Sequence, residues 1–576
     1  MFLPARLSLR AGYYTLLMRT RVFFFCITAC LLILTDCKNK SGKSGDTIVN
    51  SPEQLQAKAT DLIRSEITHA AAHGGQLPDS VILSQSRLAA LLYQQNEFAP
   101  VWCKEKQWLP AGDSLFHFID KSQFYGLFPE DYHAKEIGAI RQKFYNDSSG
   151  KTDRKDALLW ARADMMLTDA FFQIVKDIKL GRLPQDSITM RKDSVLADSF
   201  YMAKFELSQQ SSVEEIFRSL EPQHKGYRQL KNAIPKFLDS ADYRPFTKVP
   251  APGKDVIAFN KALQKRLYEQ GFIAYDSTAA DSATLSQAVK KFQEKKGIAV
   301  DGRVGEGTLR MLNDNDRDRF IRIAISMDKY KMLPEKMPAK YVWVNIPSYY
   351  MQVVDNDSVK INSKVIIGKA KTRTPVLTSN INELITYPQW VPPPSIITKE
   401  ILPAVKKNPG YLAKKGFSLV DSKGEEVDPY SVDWSKYSKG IPYRVVQGSG
   451  DANALGIMKF VFANKYSVYL HDTNQRYLFG MSMRSLSHGC VRVQEWDKLT
   501  YYLLRNDSIT AGRGYSKADS VRTWLQHKQK KSVGLKNKMP VFIRYITCEA
   551  KNGTIVFYDD IYGDDKKLKE KYFALK

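Results

Sequence analysis

A cysteine and a histidine in the last third of the chain are the residues whose types and spacing best support chemistry. Cys490 ends the run Ser487-His488-Gly489-Cys490, and His471 lies nineteen positions before that cysteine. A thiol is a strong nucleophile only as a thiolate, and an ordinary pKa of about 8.5 leaves only a few per cent ionised near neutral pH. An imidazole in contact can remove the proton. The pair therefore predicts acyl transfer, with Cys490 as nucleophile and His471 as general base.

Neighbouring residues are assigned supporting roles by the same reasoning. Glycine lets the backbone approach a substrate carbonyl closely, so the N–H groups of Gly489 and Cys490 are candidate oxyanion donors. The planar fork of Arg492 suits a substrate carboxylate. Asp472, or a nearby backbone carbonyl, is expected to orient the imidazole. Two further residues are expected to shape the loop or to hydrogen-bond substrate: Ser487 and His488.

Other interpretations of these residues stay open at this point. Cys490 could be an inert buried thiol and His471 a structural histidine. A zinc site from His471, His488 and Cys490 would need a fourth ligand or an open position, and the sequence offers no obvious further ligand.

The arrangement resembles the catalytic motif of the L,D-transpeptidases of YkuD type, in which a histidine is followed, after a loop of similar length, by Ser/Thr-His-Gly-Cys. Here fifteen residues separate His471 from Ser487. Further segments are similar to the larger, periplasmic members of that family: Val344-Asn345-Ile346-Pro347, Gly368 with Thr374-Pro375, Trp390-Val391-Pro392, and Asn453-Ala454-Leu455-Gly456.

The resemblance implies a peptidoglycan cross-linking enzyme. Its donor would be a tetrapeptide stem, attacked between the third-position diamino acid and D-alanine, and its acceptor an amine on a neighbouring stem. His471 would protonate the leaving D-alanine and then deprotonate the incoming amine. The family needs no metal and no cofactor. Two alternatives stay open: a carboxypeptidase-type thiol hydrolase of the same fold, and a non-catalytic wall-binding protein.

Periodicity and linkers predict a multidomain α+β protein. A helical scaffold domain, a three-helix domain and a strand-rich, β-sandwich-like catalytic domain follow one another, and a lid-like insertion interrupts the last. The predicted boundaries are 53–242 for the scaffold, 256–314 for the three-helix domain, 340–505 for the catalytic domain with its insertion at about 396–443, and 506–576 for a helix, strand and tail that complete it.

Several elements are specific enough to be checked. Apolar residues at three- and four-residue spacing predict an amphipathic helix over 156–180, and further helices are expected at 319–330 and 507–537. The order of Leu263-Gln264, Phe292-Gln293, Asp301-Gly302 and Leu312 resembles a peptidoglycan-binding three-helix domain. A small helical spacer without a ligand is the alternative.

The N-terminus is typical of an export signal. Arginines precede the apolar run Val22–Thr35, which is short for a membrane-spanning helix of about 20 residues. Cys37, followed by a polar tether over 38–52, resembles a lipoprotein attachment site, and Cys30 is a second candidate. Cleavage within 1–37, lipidation and an uncleaved anchor are all compatible with this pattern. We expect a periplasmic or cell-envelope protein, attached to the membrane through this segment or a lipid.

The net charge of +25, from 86 Lys+Arg and 61 Asp+Glu, favours anionic partners such as a carboxylate-rich polymer or a membrane surface, although a solvated surface explains it equally well. No nucleic-acid-binding motif accompanies it. Peptidoglycan stem peptides and glycan strands are the expected partners, and the oligomeric state is not indicated. Beyond the leader only Cys103, Cys490 and Cys548 remain, which excludes a disulfide scaffold but leaves a Cys103–Cys548 bridge open.

Overall fold

The computed structural model describes residues 47–78, 81–104, 107–149, 155–186, 188–191, 195–274, 280–296, 300–510 and 517–573. The predicted export segment 1–37 and most of the tether 38–52 lie outside these residues. Within the described residues, no helix combines the length and apolar character needed to cross a bilayer.

The N-terminal region is helical and is built around Ala157–Lys179. Asp156 caps this helix by accepting a hydrogen bond from the Leu158 N–H, and most of its side chains are buried, as the apolar spacing predicts. The helices of this region are Pro52–Ala72, Ser86–Gln95, Pro110–Asp120, Ala134–Ser149, Ala157–Lys179, Asp198–Ser208, Val213–Ser219 and Lys225–Ser240.

A three-helix unit follows, with helices Val256–Glu269, Ser282–Lys295 and Glu306–Leu312 around a small apolar core. The buried amide of Gln293 fixes its turn, because Oε1 accepts from the backbone N–H groups of Asp301 and Gly302. Gln293 and Asp301-Gly302 belong to the motif that resembles a peptidoglycan-binding domain. Their contacts hold the turn at Asp301-Gly302 against the helix Ser282–Lys295.

The next helix, Asp316–Lys331, joins this unit to the catalytic region. Its residues Phe320 and Met327 share an apolar cluster with Trp343 and Phe542, which lie on the outside of the catalytic sheet. The linking helix thus covers one wall of that sheet.

The catalytic region is a nine-stranded sheet, which confirms the strand-rich prediction. Strand Tyr350–Asp355 also pairs with Ser358–Gly368, so that eight strands close into a ring around an apolar interior. In spatial order the strands are Ser485–Ser487, Ser358–Gly368, Val491–Val493, Leu470–His471, Met458–Phe462, Leu377–Thr386, Lys531–Arg544, Lys340–Asn345 and Tyr350–Asp355.

Alternation along each strand divides the interior of the ring from its outside. In Lys340–Asn345, Val342 and Val344 belong to the interior core, whereas Tyr341 and Trp343 face the covering helices. The same alternation puts charged residues and the predicted catalytic histidine on the outside elsewhere in the ring.

The prediction of a helix over 507–537 is wrong in its second half. Helices Trp496–Thr510 and Lys517–Gln526 are present, but Lys531–Arg544 is a long strand that pairs with Leu377–Thr386, a strand the sequence did not indicate. Val533 and Leu535 are buried between exposed neighbours, a period of two that the many lysines of this stretch obscure.

The insertion has a small core of its own, formed by residues such as Leu402, Val405 and Trp434. Two antiparallel strands, Phe417–Val420 and Arg444–Gln447, close it at its base. Its helical segments are Pro394–Ile396, Ile397–Ile401, Leu402–Lys407, Tyr411–Lys414, Pro429–Ser431 and Trp434–Lys436.

The chain ends in the hairpin Cys548–Lys551 and Thr554–Phe557 and the helix Asp564–Tyr572. The Cys103–Cys548 bridge is not formed: both thiols are free and buried, Cys103 donating to Asp164 and Cys548 to Ser326. The two cysteines lie in different apolar clusters, which separates them.

Candidate active site

The register of three short strands brings the predicted nucleophile and base to one face of the sheet. His471 lies directly opposite Lys459 on one side and Arg492 on the other. Residues opposite one another share a face, and so do residues two positions apart on a strand. Tyr469 and Cys490, each two positions before a member of this row, therefore belong to the same face as His471.

The backbone fixes this neighbourhood independently of the side chains. The Val491 N–H donates to the Tyr469 carbonyl at 3.1 Å, which ties the residue after the thiol to the strand that carries His471. The interior positions of these strands, Leu470 and Val491, are fully buried in the core. The backbone positions of His471 and Cys490 are thus diagonal neighbours on one face of the sheet.

The thiol of Cys490 is partly exposed and free. Its Sγ donates to the Ser467 carbonyl at 3.9 Å, and among the described hydrogen bonds none joins it to the imidazole. Burial raises the pKa of Cys490, while hydrogen bonding to Tyr469 and the charges of Lys459 and Arg492 act in the opposite direction. The resting nucleophile is therefore a thiol, and the charges of Lys459 and Arg492 offset part of the effect of its burial.

The imidazole of His471 is buried, with 4% of the residue exposed. Burial lowers its pKa to about 3, the charge of Arg492 and more weakly that of Lys459 contribute, and the backbone of Asp472 and Leu455 opposes the shift. Its Nδ1 has no hydrogen-bond partner of good geometry among the described residues. His471 is thus neutral near pH 7 and able to accept a proton.

The carboxylate of Asp472 does not orient the imidazole, which corrects that part of the prediction. It is fully buried and accepts from Arg476 Nη2 at 2.6 Å and from the Ile457 N–H at 3.1 Å. Because consecutive strand residues face opposite sides, its side chain points away from the ring of His471. Gly456, at φ 62°, makes room for it: a Cβ there would lie 2.3 Å from Asp472 Oδ2. Backbone carbonyls remain as the groups that can orient His471.

The loop before the nucleophile is held by its own side chains. Ser487 Oγ donates to the Cys490 carbonyl at 2.6 Å and accepts from the Gly489 N–H at 3.1 Å. Thr374 Oγ1 donates to the Gly489 carbonyl at 2.8 Å. Gly489 has φ 122°, and a Cβ would lie 3.3 Å from the Arg373 carbonyl, so the position requires glycine.

The two predicted oxyanion donors differ in whether their N–H group is already hydrogen-bonded. The Gly489 N–H is already directed to Ser487 Oγ, whereas the Cys490 N–H makes none of the hydrogen bonds described for the structure. Ser487 shapes the loop, in agreement with one of its two predicted roles.

His488 and Arg492 point in different directions. His488 is exposed and its Nε2 lies 2.5 Å from Glu400 Oε1, in the helical part of the insertion. The pair joins the nucleophile loop to the inserted subdomain. The imidazole of His488, which a zinc site with His471 and Cys490 would need, thus binds Glu400 instead. Arg492 faces the thiol; its Nη1 donates to Gln475 Oε1 at 3.0 Å, and its buried Nε has no partner of good geometry among the described residues.

Sequence reasoning missed two members of this face. Lys459 Nζ lies 4.0 Å from the ring centroid of Tyr469, and both groups interact with Cys490. Alternation along each strand is visible in the sequence, but the register that sets Lys459 opposite His471 is not. Lys459 and Tyr469 can be assigned to this face only once the pairing of the strands is known.

Three segments of the chain match models of known domain families. Residues 339–509 match the family model described as the L,D-transpeptidase catalytic domain, 87–234 match the scaffold domain, and 258–312 match the "putative peptidoglycan binding domain". These matches confirm the resemblance: the chain carries an L,D-transpeptidase catalytic domain together with scaffold and peptidoglycan-binding domains. Such domains indicate a location in the cell envelope.

A curated protein of Haemophilus influenzae, named "Putative L,D-transpeptidase", is 36% identical over 247 residues, which are 43% of this chain and 48% of that protein. The match thus spans about half the length of that relative. A solved L,D-transpeptidase fragment from Xylanimonas cellulosilytica, residues 123–326, is 14% identical and covers 53% of this chain and 98% of its own, with a TM-score of 0.15. So low a score adds nothing to the account of the fold.

Proposed function

We propose that this protein is an exported L,D-transpeptidase that cross-links peptidoglycan through a thioester on Cys490, with His471 as general acid and base. The observation that carries the proposal is the shared outer face of three strands. It unites a partly exposed thiol, a buried neutral imidazole and two cations. These are the components that thiol-based acyl transfer needs.

In the first half of the reaction Cys490 attacks the stem carbonyl and a C–S bond forms. His471 accepts the thiol proton, and the Cys490 N–H donates to the oxyanion. When the C–N bond to D-alanine breaks, His471 returns the proton to the leaving amine. Lys459 and Arg492 favour the sulfur anion during the attack.

Burial, with a contribution from the same two cations, keeps His471 from holding the proton for long. Burial and then the charges of Arg492 and Lys459 lower the pKa of His471, so an imidazolium is disfavoured and passes its proton on readily. A thiolate–imidazolium pair is therefore a transient state rather than the resting one. Arg492, whose fork is only partly engaged by Gln475, is placed to receive a stem carboxylate.

In the second half an acceptor amine attacks the thioester, gives a proton to His471 and releases the Cys490 thiol. Water in place of the amine would give hydrolysis, since the acylation machinery is common to both. The insertion, connected to the nucleophile loop by His488 and Glu400, would act as a lid over the cleft. Deleting residues 396–443 is then expected to lower donor selectivity, and unchanged kinetics would remove the idea.

The remaining parts of the chain fit an envelope enzyme. The peptidoglycan-binding and scaffold domains would hold the glycan while the catalytic face works on the stems, within the boundaries 53–242, 256–314 and 340–576 predicted from the sequence. Residues 1–37 would provide export, and Cys37 or Cys30 a lipid attachment site.

The proposal is tested by product analysis on purified muropeptides. Wild-type protein should convert tetrapeptide stems into cross-linked dimers, and Cys490→Ala should leave them unchanged. Shortened tripeptides without dimers would support hydrolysis instead. Conversion by the Cys490→Ala variant would refute the nucleophile assignment.

A further inference from the structure

A polar cleft far from the thiol has the properties of a second binding site. Its volume is about 530 Å³, and it lies between the scaffold helix that begins at Lys225, the linking helix and the outside of the first three catalytic strands. None of the residues assigned to the reaction above lines it.

Aromatic rings form one wall of the cleft. The imidazole of His224 stacks on Tyr330 at a centroid distance of 4.8 Å and lies tilted against Trp343 at 5.4 Å, and Tyr341 extends the row. Tyr330, Tyr341 and Trp343 are buried, so they hold the imidazole in place rather than offer a free face to a ligand. The wall therefore fixes the position of His224 at the cleft.

The imidazole of His224 carries a donor with nothing to bind. Its Nδ1 accepts from the Gly226 N–H at 3.0 Å, so in the neutral ring the proton is on Nε2. That Nε2 is buried and has no partner among the described residues. Burial also lowers the pKa of His224 to about 4, which keeps the ring neutral near pH 7. A buried N–H without an acceptor is costly, and a ligand oxygen would remove the cost.

Two side-chain amides continue the surface across the sheet. Gln352 lies directly opposite Trp343 on one side and Asn362 on the other, so that an indole and two amides form a row over three strands. Neither amide takes part in a hydrogen bond described for the structure, and Asn362 is exposed. The two amides therefore present both hydrogen-bond donors and acceptors at the cleft.

The charges that line the cleft cancel. Lys225 and Lys551 are matched by Asp357 and Glu549, and the Glu549 carboxylate is already bound by Asn345 and Tyr558. No excess of one sign is left to select an anionic stem peptide. A neutral ligand rich in hydroxyl and acetamido groups fits this lining best.

We infer that this cleft binds the glycan strand of peptidoglycan, as a chain of N-acetylated amino sugars, separately from the catalytic face. An acetamido or hydroxyl oxygen accepts from His224 Nε2, and the amides of Gln352 and Asn362 bind hydroxyl groups of the sugar ring. The choice of this glycan rests on the proposed function.

The test is calorimetric titration of the full chain with N-acetylglucosamine oligomers that carry no peptide. Gln352→Ala combined with Asn362→Ala should weaken binding about tenfold, because two hydrogen bonds are lost. Lys360→Ala is the matched control, because Lys360 is exposed on the same strand as Asn362 but does not line the cleft. This variant should bind like wild type. Equal affinity of the double variant and the control would overturn the inference.

Hydrogen exchange locates the site, and the melting temperature shows whether the double variant is folded. Sugar binding should protect residues 340–364 and 548–552 in the wild type, and the double variant should keep its melting temperature. Protection confined to residues 256–314 would assign all sugar binding to the three-helix domain and overturn the inference. Glycan strands freed of stem peptides should give the same protection as the oligomers; if they do not, the ligand is not the peptidoglycan glycan.

The two proposals can fail separately. Acylation of Cys490 by small soluble stem peptides should be unchanged in the double variant, since the cleft does not touch the thiol. If the wild-type protein is acylated by stem peptides but does not bind the sugar oligomers, only the cleft is refuted. If it binds the oligomers but forms no cross-links, only the enzyme is refuted.

Discussion

The proposed catalytic face and the proposed glycan cleft are built on different walls of the same ring, and each centres on a neutral imidazole. In both, burial lowers the histidine pKa, to about 3 at His471 and about 4 at His224. Each ring also has one buried nitrogen without a partner of good geometry among the described residues, Nδ1 of His471 and Nε2 of His224.

The neighbours of the two rings differ. His471 has a thiol and two cations on its face, whereas His224 has aromatic rings and amides. A neutral imidazole beside a nucleophile can accept a proton, and the same ring beside amides can only donate a hydrogen bond. What distinguishes chemistry from binding here is the set of side chains that the strand register places beside the ring.

The largest difference should appear when each imidazole is removed in turn. His471→Ala should slow acylation of Cys490 by a stem peptide about 10²–10⁴-fold, the usual contribution of a general base. His224→Gln should leave acylation within about twofold, because no atom of the cleft contacts the thiol. Stopped-flow or mass-spectrometric acylation rates measure both. Comparable losses in the two variants would contradict the division of roles.

The pH dependence of acylation sharpens the same contrast. Because the pKa of His471 is about 3 and that of Cys490 is raised, the neutral pair persists from about pH 5 to 8 and the rate should be flat there. In His471→Ala only the thiolate can attack, so the rate should rise roughly tenfold per pH unit below the thiol pKa. An inflection near pH 6.5 in the wild type would show that His471 titrates normally and would refute its neutral assignment.

Lys459 supplies a smaller, purely electrostatic effect. Lys459→Met removes a cation that lowers the thiol pKa, so alkylation of Cys490 by iodoacetamide at pH 7 should slow roughly three- to tenfold. Lys465→Met removes the same charge from an exposed position and serves as control. If both variants react alike, the charge on Lys459 does not act on the sulfur.

The contact between the nucleophile loop and the insertion should have the smallest effect. Glu400→Gln removes the carboxylate that His488 binds, and the donor KM should rise about two- to fivefold with little change in kcat, in keeping with an exposed pair. Glu425→Gln, exposed on the same insertion, should change neither constant. An unchanged KM in Glu400→Gln would remove the proposed link between lid and loop.

The sequence predicted one part of the catalytic face well and another part poorly, for a physical reason. Ser487, Gly489 and Cys490 act locally, through hydrogen bonds within four residues and one positive φ, and such local requirements are visible in a motif. Lys459 and Tyr469 depend on which strands pair and in what register, which the motif does not contain.

The same limit applies to the fold and to the cleft. The helix at 157–179 was predictable from its spacing, whereas Lys531–Arg544 was assigned in part to a helix because its partner strand Leu377–Thr386 was not recognised. The cleft joins His224, Trp343 and Glu549, which are separated along the chain by more than a hundred residues, and no local pattern relates them.

The central claim is that the thiol of Cys490 is the nucleophile and that His471 activates it. The most direct measurement is the intact mass of the protein after exposure to a carbapenem, which the family resemblance implies will acylate the nucleophile. The account predicts a single adduct on Cys490, formed much more slowly in His471→Ala and absent in Cys490→Ala. An adduct on another residue, no adduct in the wild type, or equal rates with and without His471 would contradict it.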